Sequence, residues 1–194
     1  ALDVRSAMCA PLVNRSTKER IAAIAAKHGY IVNRHARRLW SRRSNTVAVI
    51  LQFIKELAEY EKLSQEVVAT EDTLRTSLFG ARPAAEVVIA YASDEPVGFA
   101  LYFQTFSTFL GRPGIYLEDL YVTPARPSQG IGRRLLAYVA RVAVDRGYGR
   151  MEWSVLNWNE PALVVYRKIG ARPMDEWTVQ RLTGDALKSL AQSA

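Results

Sequence analysis

Three stretches of the chain carry groups that could do chemistry. The first is TPARPSQGIGRRLL, Thr123 to Leu136, in which Gly130 and Gly132 open a helix directly after a strand. A tight glycine turn at a helix N-terminus presents backbone N–H groups and the positive end of the helix dipole, which together hold an anion such as a phosphate. No Gly-Lys-Ser/Thr follows, and Gly130-Ile131-Gly132 runs on as Arg133-Arg134-Leu135, so neither the nucleotide P-loop nor the dinucleotide GxGxxG pattern is present. Taken alone, a Gly-x-Gly before a helix favours an ordinary turn, and Pro127 in this loop has no N–H to offer. The second stretch is Glu118-Asp119 near the end of a strand. Carboxylates bind cations and move protons. Neighbours on a strand point to opposite faces, so only one of the two should face a site unless the strand bulges. The third is NRHARRLWSRR, Asn33 to Arg43, with five arginines around Leu39 and Trp40. An arginine run is ordinarily a solvated face, but here it flanks two large apolar groups with no core to fill. That combination suits cations on phosphates and an apolar wedge in the minor groove of DNA.

These groups need elements to hold them. EVVIAYA (Glu86 to Ala92) and VGFALYFQTF (Val97 to Phe106) read as a hairpin about Asp94-Glu95-Pro96. GIYLEDLYVTP (Gly114 to Pro124) is a third strand, a helix follows from Gly132 to about Arg146, and RMEWSVLN (Arg150 to Asn157) is a fourth strand. A helix with Pro161 at its first position runs to Ile169 and stops at Gly170, and WTVQRLT (Trp177 to Thr183) reads as a last strand. A hairpin followed by β–α–β–α–β predicts an α/β domain whose mixed sheet has parallel central strands. Further back, Ser16 and Glu19 form a capping box for a helix that ends at Gly29. Ser44 to Leu63 reads two ways. Thr46 to Ile50 could be a strand, whereas Val47, Ile50, Leu51, Ile54, Leu57 and Ala58 form one helical stripe, and a helix beginning near Thr46 is the expectation.

The chain has 194 residues, enough for one domain with a small appendage, and about half are apolar. Its net charge of +7 is unevenly placed: residues 1–46 hold ten Lys/Arg against two Asp/Glu, and residues 47–194 hold sixteen against seventeen. The expected organisation is therefore a basic helical segment, 1–46, joined to a near-neutral domain, 47–194. No apolar run is long enough for a membrane span, no charged-then-apolar leader opens the chain, and the single cysteine, Cys9, fits a reducing cytoplasm. Ala1 in place of an initiator Met points to a trimmed or partial chain.

Two resemblances sharpen these readings. VNRSTKERIAAIAAKHGYIVNRHARRLWSRRSNTVAVI, Val13 to Ile50, resembles the DNA-binding and hinge segment of the lactose/purine-repressor family. The resemblance implies that Leu39 is a minor-groove wedge and that Arg34, Arg37 and Arg38 flank it. ALDVRSAMCAP is too short for the helix and turn that should precede this stretch, so the major-groove reader is missing or truncated and binding to DNA should be weak and non-specific. YLEDLYVTPARPSQGIGRRLL, with VLNWNEPALVVYRKIGA some 25 residues on, resembles the GNAT acetyltransferase superfamily over about 51–190, most closely its diamine (spermidine/spermine, thialysine) branch.

The second resemblance implies a GNAT-like mixed sheet with flanking helices and acetyl-CoA as cofactor. The backbone at Leu120, Tyr121 and Val122 would pair with the pantetheine arm. The loop Ser128, Gln129, Gly130, Ile131, Gly132 and Arg133 would hold the pyrophosphate, and Asn159 would contact CoA. Transfer to an amine requires the ammonium, with a pKa of about 10, to lose a proton first. Glu118 is then the base, through water, and Tyr166 the acid that protonates the leaving thiolate. Tyr60, Glu61, Glu118 and Asp119 would grip a cationic amine, with Asp175 or Glu176 near another such position. Two departures stand out: Pro127 and Ser128 replace the usual Arg/Gln and Gly of the loop, and the family's first strand is replaced by repressor-like sequence, which should leave a sheet edge unpaired. The diamine branch commonly dimerises, which makes a homodimer possible here. The alternative function is a DNA-binding regulator whose acetyltransferase-like domain senses acetyl-CoA or an amine. If the basic segment engages DNA, a duplex is retarded in a gel at low salt, and the shift is lost steeply as salt rises. No retardation at low ionic strength removes that role.

Overall fold

In a computed structural model the chain is described over residues 2–7, 34–124 and 130–193, with the backbone alone for 2, 5–7 and 34–45. It divides into two compact units, Ala1–Leu156 and Asn157–Ala194.

The first unit is a five-stranded sheet in the order β1-β2-β3-β4-β5. Strands β1 (Leu2–Ala7), β2 (Glu86–Ala92), β3 (Glu95–Ser107) and β4 (Arg112–Val122) pair antiparallel in turn, and β5 (Met151–Trp153) joins β4 in parallel. The sheet is mixed, as expected, but its parallel pair lies at one side rather than at the centre. Strand β1 corrects the expected open edge: Leu2 to Ala7 pair with Ala92 to Val87, so a distant part of the chain supplies the missing ladder. The β2–β3 turn is also tighter than expected. Ser93 and Asp94 both have positive φ and Ala92 pairs with Glu95, a two-residue hairpin of the kind whose twist matches that of its strands.

Helix α1 (Arg34–Tyr60) is a single helix of 27 residues, so the helical piece expected over Asn33 to Arg43 and the helix expected from near Thr46 are one, running through residue 46. The strand reading of Thr46 to Ile50 is thereby excluded. The side chains of Arg34, Arg37, Arg38 and Leu39 lie outside the described residues, as do residues 8–33 with their expected capping box. Val47, Ile50 and Phe53 of α1 are buried, with Ile54 and Leu57 packed beside them, so the stripe holds but is centred on Phe53. They meet Val87, Ile89, Phe99, Leu101 and Tyr121 on one face of the sheet, together with Leu78 and Phe79 of α2 (Glu71–Phe79). Sequence reading passed over α2, although Thr70 and Thr73 form its capping box and Glu71 and Asp72 occupy its first turn. Helix α3 (Ile131–Asp145) covers the other face with Ile131, Leu135, Leu136, Val139 and Ala143. Its end is fastened by Arg146, whose guanidinium donates to both carboxylate oxygens of Glu86 at 2.5 and 2.8 Å.

In the second unit, α4 (Glu160–Lys168) starts at Asn159 with Pro161 in its first turn and ends before Gly170, close to the expected bounds. Trp177 to Thr183 is not a strand. Its β-favouring residues have no ladder partner among the described residues, and Trp177, Val179 and Leu182 are exposed. A helix the sequence did not announce, α5 (Gly184–Ala191), follows it.

Phe53 is the link between α1 and the sheet, with its ring 5.7 Å from those of Phe99 and Tyr121. Phe53→Ala should lower stability by about 3–5 kcal/mol, the usual cost of emptying an aromatic core position, read as a fall in the urea midpoint.

Candidate active site

The register between β3 and β4 slips by one residue at the carboxylate pair. Tyr102 faces Leu117 and Leu101 faces Asp119, so Glu118 is an extra residue in β4 and the strand bulges there. Alternation from Leu117 puts Glu118 on the α1 side of the sheet. Cross-strand pairing with Leu101, a member of the α1-side core, puts Asp119 on that side too. The condition under which both carboxylates could face a site is met.

Glu61, in the turn just after α1, completes a cluster with them. Burial first, then the charges of Glu118 and Glu61, push the Asp119 carboxyl up to about 6 from its ordinary 3.8. Burial also raises Glu61. Glu118 is exposed and Asp119 half-buried. Tyr60, the last residue of α1, is about half exposed beside Glu61. Three of the four residues expected to hold a cationic amine are thus coupled through space, and the fourth adjoins them in the chain.

Strand β5 ends at Trp153, pairing only with Ile115 to Leu117, while β4 continues to Val122. The side of β4 that faced β5 therefore carries no strand along Glu118 to Val122 among the described residues. The backbone of Leu120, Tyr121 and Val122 is left with hydrogen-bonding groups for an extended ligand. The Tyr121 side chain points away from this edge into the α1 core, where burial and a hydrogen bond to Glu56 push its phenol up. A cleft of about 340 Å³ opens on that side, between Gln52, Phe53 and Glu56 of α1, Pro96 and Val97 of β3, and Thr123 at the root of the loop.

At the start of α3, Gly130 is the N-cap with φ of 67°, a conformation open to glycine at little cost, and among the described residues no side chain caps the helix. No acidic residue occupies the first turn, whereas Arg133 and Arg134 do, both exposed. Cations at this end oppose the helix dipole, and an uncapped terminus leaves N–H groups unmatched. Both features fit a polyphosphate ligand, which would use the free N–H groups and balance the arginines. Gly132 lies over Val122: a Cβ there would sit 3.7 Å from Val122 Cγ2. Ile131 is buried in the core, so only its backbone is available to a ligand. Ser128 and Gln129, with Arg126 and Pro127, lie outside the described residues.

In the second unit the Asn159 side chain accepts from Ala162 N at 3.3 Å and so caps α4. Tyr166 lies half-buried on the same helix. Asp175 and Glu176 are exposed.

The acetyltransferase (GNAT) family profile matches residues 51–171. The chain belongs to that family. It is 42% identical over 153 residues to a thialysine N-epsilon-acetyltransferase of Sus scrofa, covering 73% of this chain and 89% of the relative. It is 30% identical over 189 residues to an L-ornithine N5-acetyltransferase of Arabidopsis thaliana, covering 74% and 83%. Among solved structures, an integron cassette protein from the mobile metagenome of V. cholerae superimposes with a TM-score of 0.62 at 26% identity, over 74% of this chain and 90% of that one. The protein is accordingly an N-acetyltransferase with acetyl-CoA as acetyl donor, and the bare edge of β4 and the cationic, uncapped start of α3 suit that donor's arm and phosphates. Among the described residues no helix is long and apolar enough to cross a membrane, and no cluster of ligands for a metal ion is found.

Gly130→Ala has room for its methyl group, since nothing lies within 4 Å, but it strains the left-handed backbone. It should cost roughly 1–2 kcal/mol of stability. Acetyl-CoA should recover less of the melting temperature in this variant than in the wild type, because the N–H groups around residue 130 are displaced. Equal shifts with ligand in both proteins would remove this turn from the cofactor site.

Proposed function

We propose that the protein moves an acetyl group from acetyl-CoA to the primary amine of a small diamine or polyamine-like molecule. The observation that carries this reading is the cluster of Glu61, Glu118 and Asp119, three carboxylates gathered where β4 bulges. Such a cluster is costly without a cation and well matched to an alkylammonium ion. The names of the relatives, thialysine and ornithine acetyltransferases, fit a substrate with a flexible chain ending in an amine.

Within this reading Tyr60, Glu61, Glu118 and Asp119 bind the amine, and Glu118 withdraws its proton through water. The backbone of Leu120, Tyr121 and Val122 holds the pantetheine arm. Ser128, Gln129, Gly130, Ile131, Gly132 and Arg133 hold the pyrophosphate, and Asn159 adds a contact to CoA while capping its helix. Bound acetyl-CoA supplies a thioester carbonyl to the neutral amine. With that donor bound, the N–C bond would form as the C–S bond broke, and Tyr166 would give its phenolic proton to the departing sulfur and regain one from the second N–H of the new amide nitrogen.

Thiol release with acetyl-CoA and a panel of thialysine, ornithine, lysine, spermidine and short diamines should show turnover with at least one of them. Tyr166→Phe should lower kcat by about 10²-fold or more, the usual scale of acid–base catalysis, with a much smaller change in KM. Unchanged kcat takes the acid role from Tyr166, and no turnover with any amine overturns the reading.

A further inference from the structure

One hydrogen bond between side chains crosses from β4 to the end of β5 at the point where the two strands part. The hydroxyls of Tyr116 and Ser154 lie 2.7 Å apart. Tyr116 stands beside Glu152 in the parallel register, one rung before the last, Leu117–Trp153. Ser154 is the first residue past β5. The backbone ladder has ended there, and a side-chain bond takes its place. Its two ends are held differently. The Tyr116 ring rests 5.4 Å from that of Phe103, and its strand is laddered to β3. Ser154 is exposed and lies outside any strand. Tyr116 is thus a fixed post, and Ser154 opens a segment that the bond draws back toward β4.

We propose that this pair is a clasp that fixes where β4 and β5 separate, and so how far the arm of acetyl-CoA seats along the β4 edge. The proposal deepens the acetyl-transfer reading and rests on it; Tyr116 and Ser154 are positioning residues, not catalytic ones. The edge of β4 without a strand begins just past the clasp, at Glu118, and runs to Val122 and on toward the glycine turn at Gly130. With the phosphates at that turn, the thioester end of the arm would lie toward the clasp. Tyr116 and Glu118 are two apart on the strand, so the Tyr116 side chain shares the α1 side of the sheet with both carboxylates of the bulge. The carbonyl and the amine would then meet beside the clasp. One rung earlier β5 is braced separately, by Arg150 Nε on Glu152 at 2.7 Å. Loss of the clasp should therefore loosen the end of β5 and little else.

The closing point matters because the distances are unforgiving. One residue of strand spans about 3.3 Å. Were the strands to open one rung earlier, the arm would have that much room to slide, and a displacement of about 1 Å can cost roughly 10²-fold in rate. A single hydrogen bond shifts a local opening equilibrium by only about three- to ten-fold. That is little for the stability of the whole sheet, whose other pairs are ladder-bonded, but enough to change how often the last rung is closed when the arm arrives.

Hydrogen exchange and kinetics together test the clasp, in the wild type, Ser154→Ala, Tyr116→Phe, the double variant and Ser154→Thr. Ser154 is exposed and Tyr116→Phe keeps its ring on Phe103, so all should melt close to the wild type. In the free protein the amides of β5 should exchange about three- to ten-fold faster in each single variant, and no faster still in the double variant, because both changes break the same bond. Acetyl-CoA should raise the melting temperature less in these variants than in the wild type. At saturating acetyl-CoA, kcat should fall by about ten-fold or more while KM for the amine stays within about two-fold. Ser154→Thr, which keeps the hydroxyl, should restore all three. Unchanged exchange in both single variants, faster exchange with an unaltered kcat and melting shift, or additive losses in the double variant overturn the clasp and leave acetyl transfer in place. A wild type without turnover on any amine overturns acetyl transfer itself, and exchange with the melting shift then still decides whether the pair holds the strands.

Discussion

Before Glu118 the odd-numbered side chains of β4, Ile115 and Leu117, pair across to Gln104 and Tyr102 and lie on the α3 side of the sheet; after it, Asp119 and Tyr121 pair with Leu101 and Phe99 and lie on the α1 side. One extra residue therefore reverses the alternation of β4. The reversal has two consequences at once. Tyr121 becomes available to pack against Phe53 and close the α1 core, and Asp119 is carried to the same face beside Glu61. Without the bulge, Asp119 would point toward α3, and the carboxylates would be split between the two sides of the sheet.

The bulge also coincides with the place where β5 gives out. Parallel pairing stops at Leu117–Trp153, one residue before the inserted Glu118. A bulge bends its strand and increases its local twist, which works against further pairing on that edge. The result is a strand laddered to β3 on both sides of the bulge yet, among the described residues, without a strand on its other side over Glu118 to Val122, leading straight into the loop before Gly130. Strand edge, glycine turn and helix start thus follow one another in sequence. A long ligand with an amide-bearing arm at one end and phosphates at the other can be read by consecutive backbone, with few side chains required.

Much of this was legible before the fold was known. The β2–β3 hairpin, the β4 strand and α3 carry clean local patterns, and their observed bounds differ from the expected ones by a few residues. The possibility of a bulge could be stated from two adjacent carboxylates, but only the register against Leu101 and Tyr102 decides it, and register is a property of two strands. The same reason hid β1. Leu2 to Ala7 finds its partner some eighty residues away, in Val87 to Ala92, and nothing local to LDVRSA announces that pairing. Trp177 to Thr183 erred in the opposite direction, with strand-favouring residues but no strand to meet. Helix α2 was different again, because its Thr70 capping box and first-turn acids were present to be read.

Asp119 was the least legible feature of the site, and the reason is energetic. Sequence places Glu118 and Asp119 side by side, and the resemblance makes Glu118 the base and both of them ligands of the amine. What separates them is solvation. Asp119 has the shorter side chain on the in-register position, so it cannot reach out to water as Glu118 can, and it bears the burial cost together with repulsion from two neighbours. The fold tolerates that cost because the Phe53, Phe99 and Tyr121 cluster two residues along β4 holds α1 against the strand, and with it the end of α1 from which Glu61 follows. An apolar core thus sustains a carboxylate in an environment it would otherwise leave.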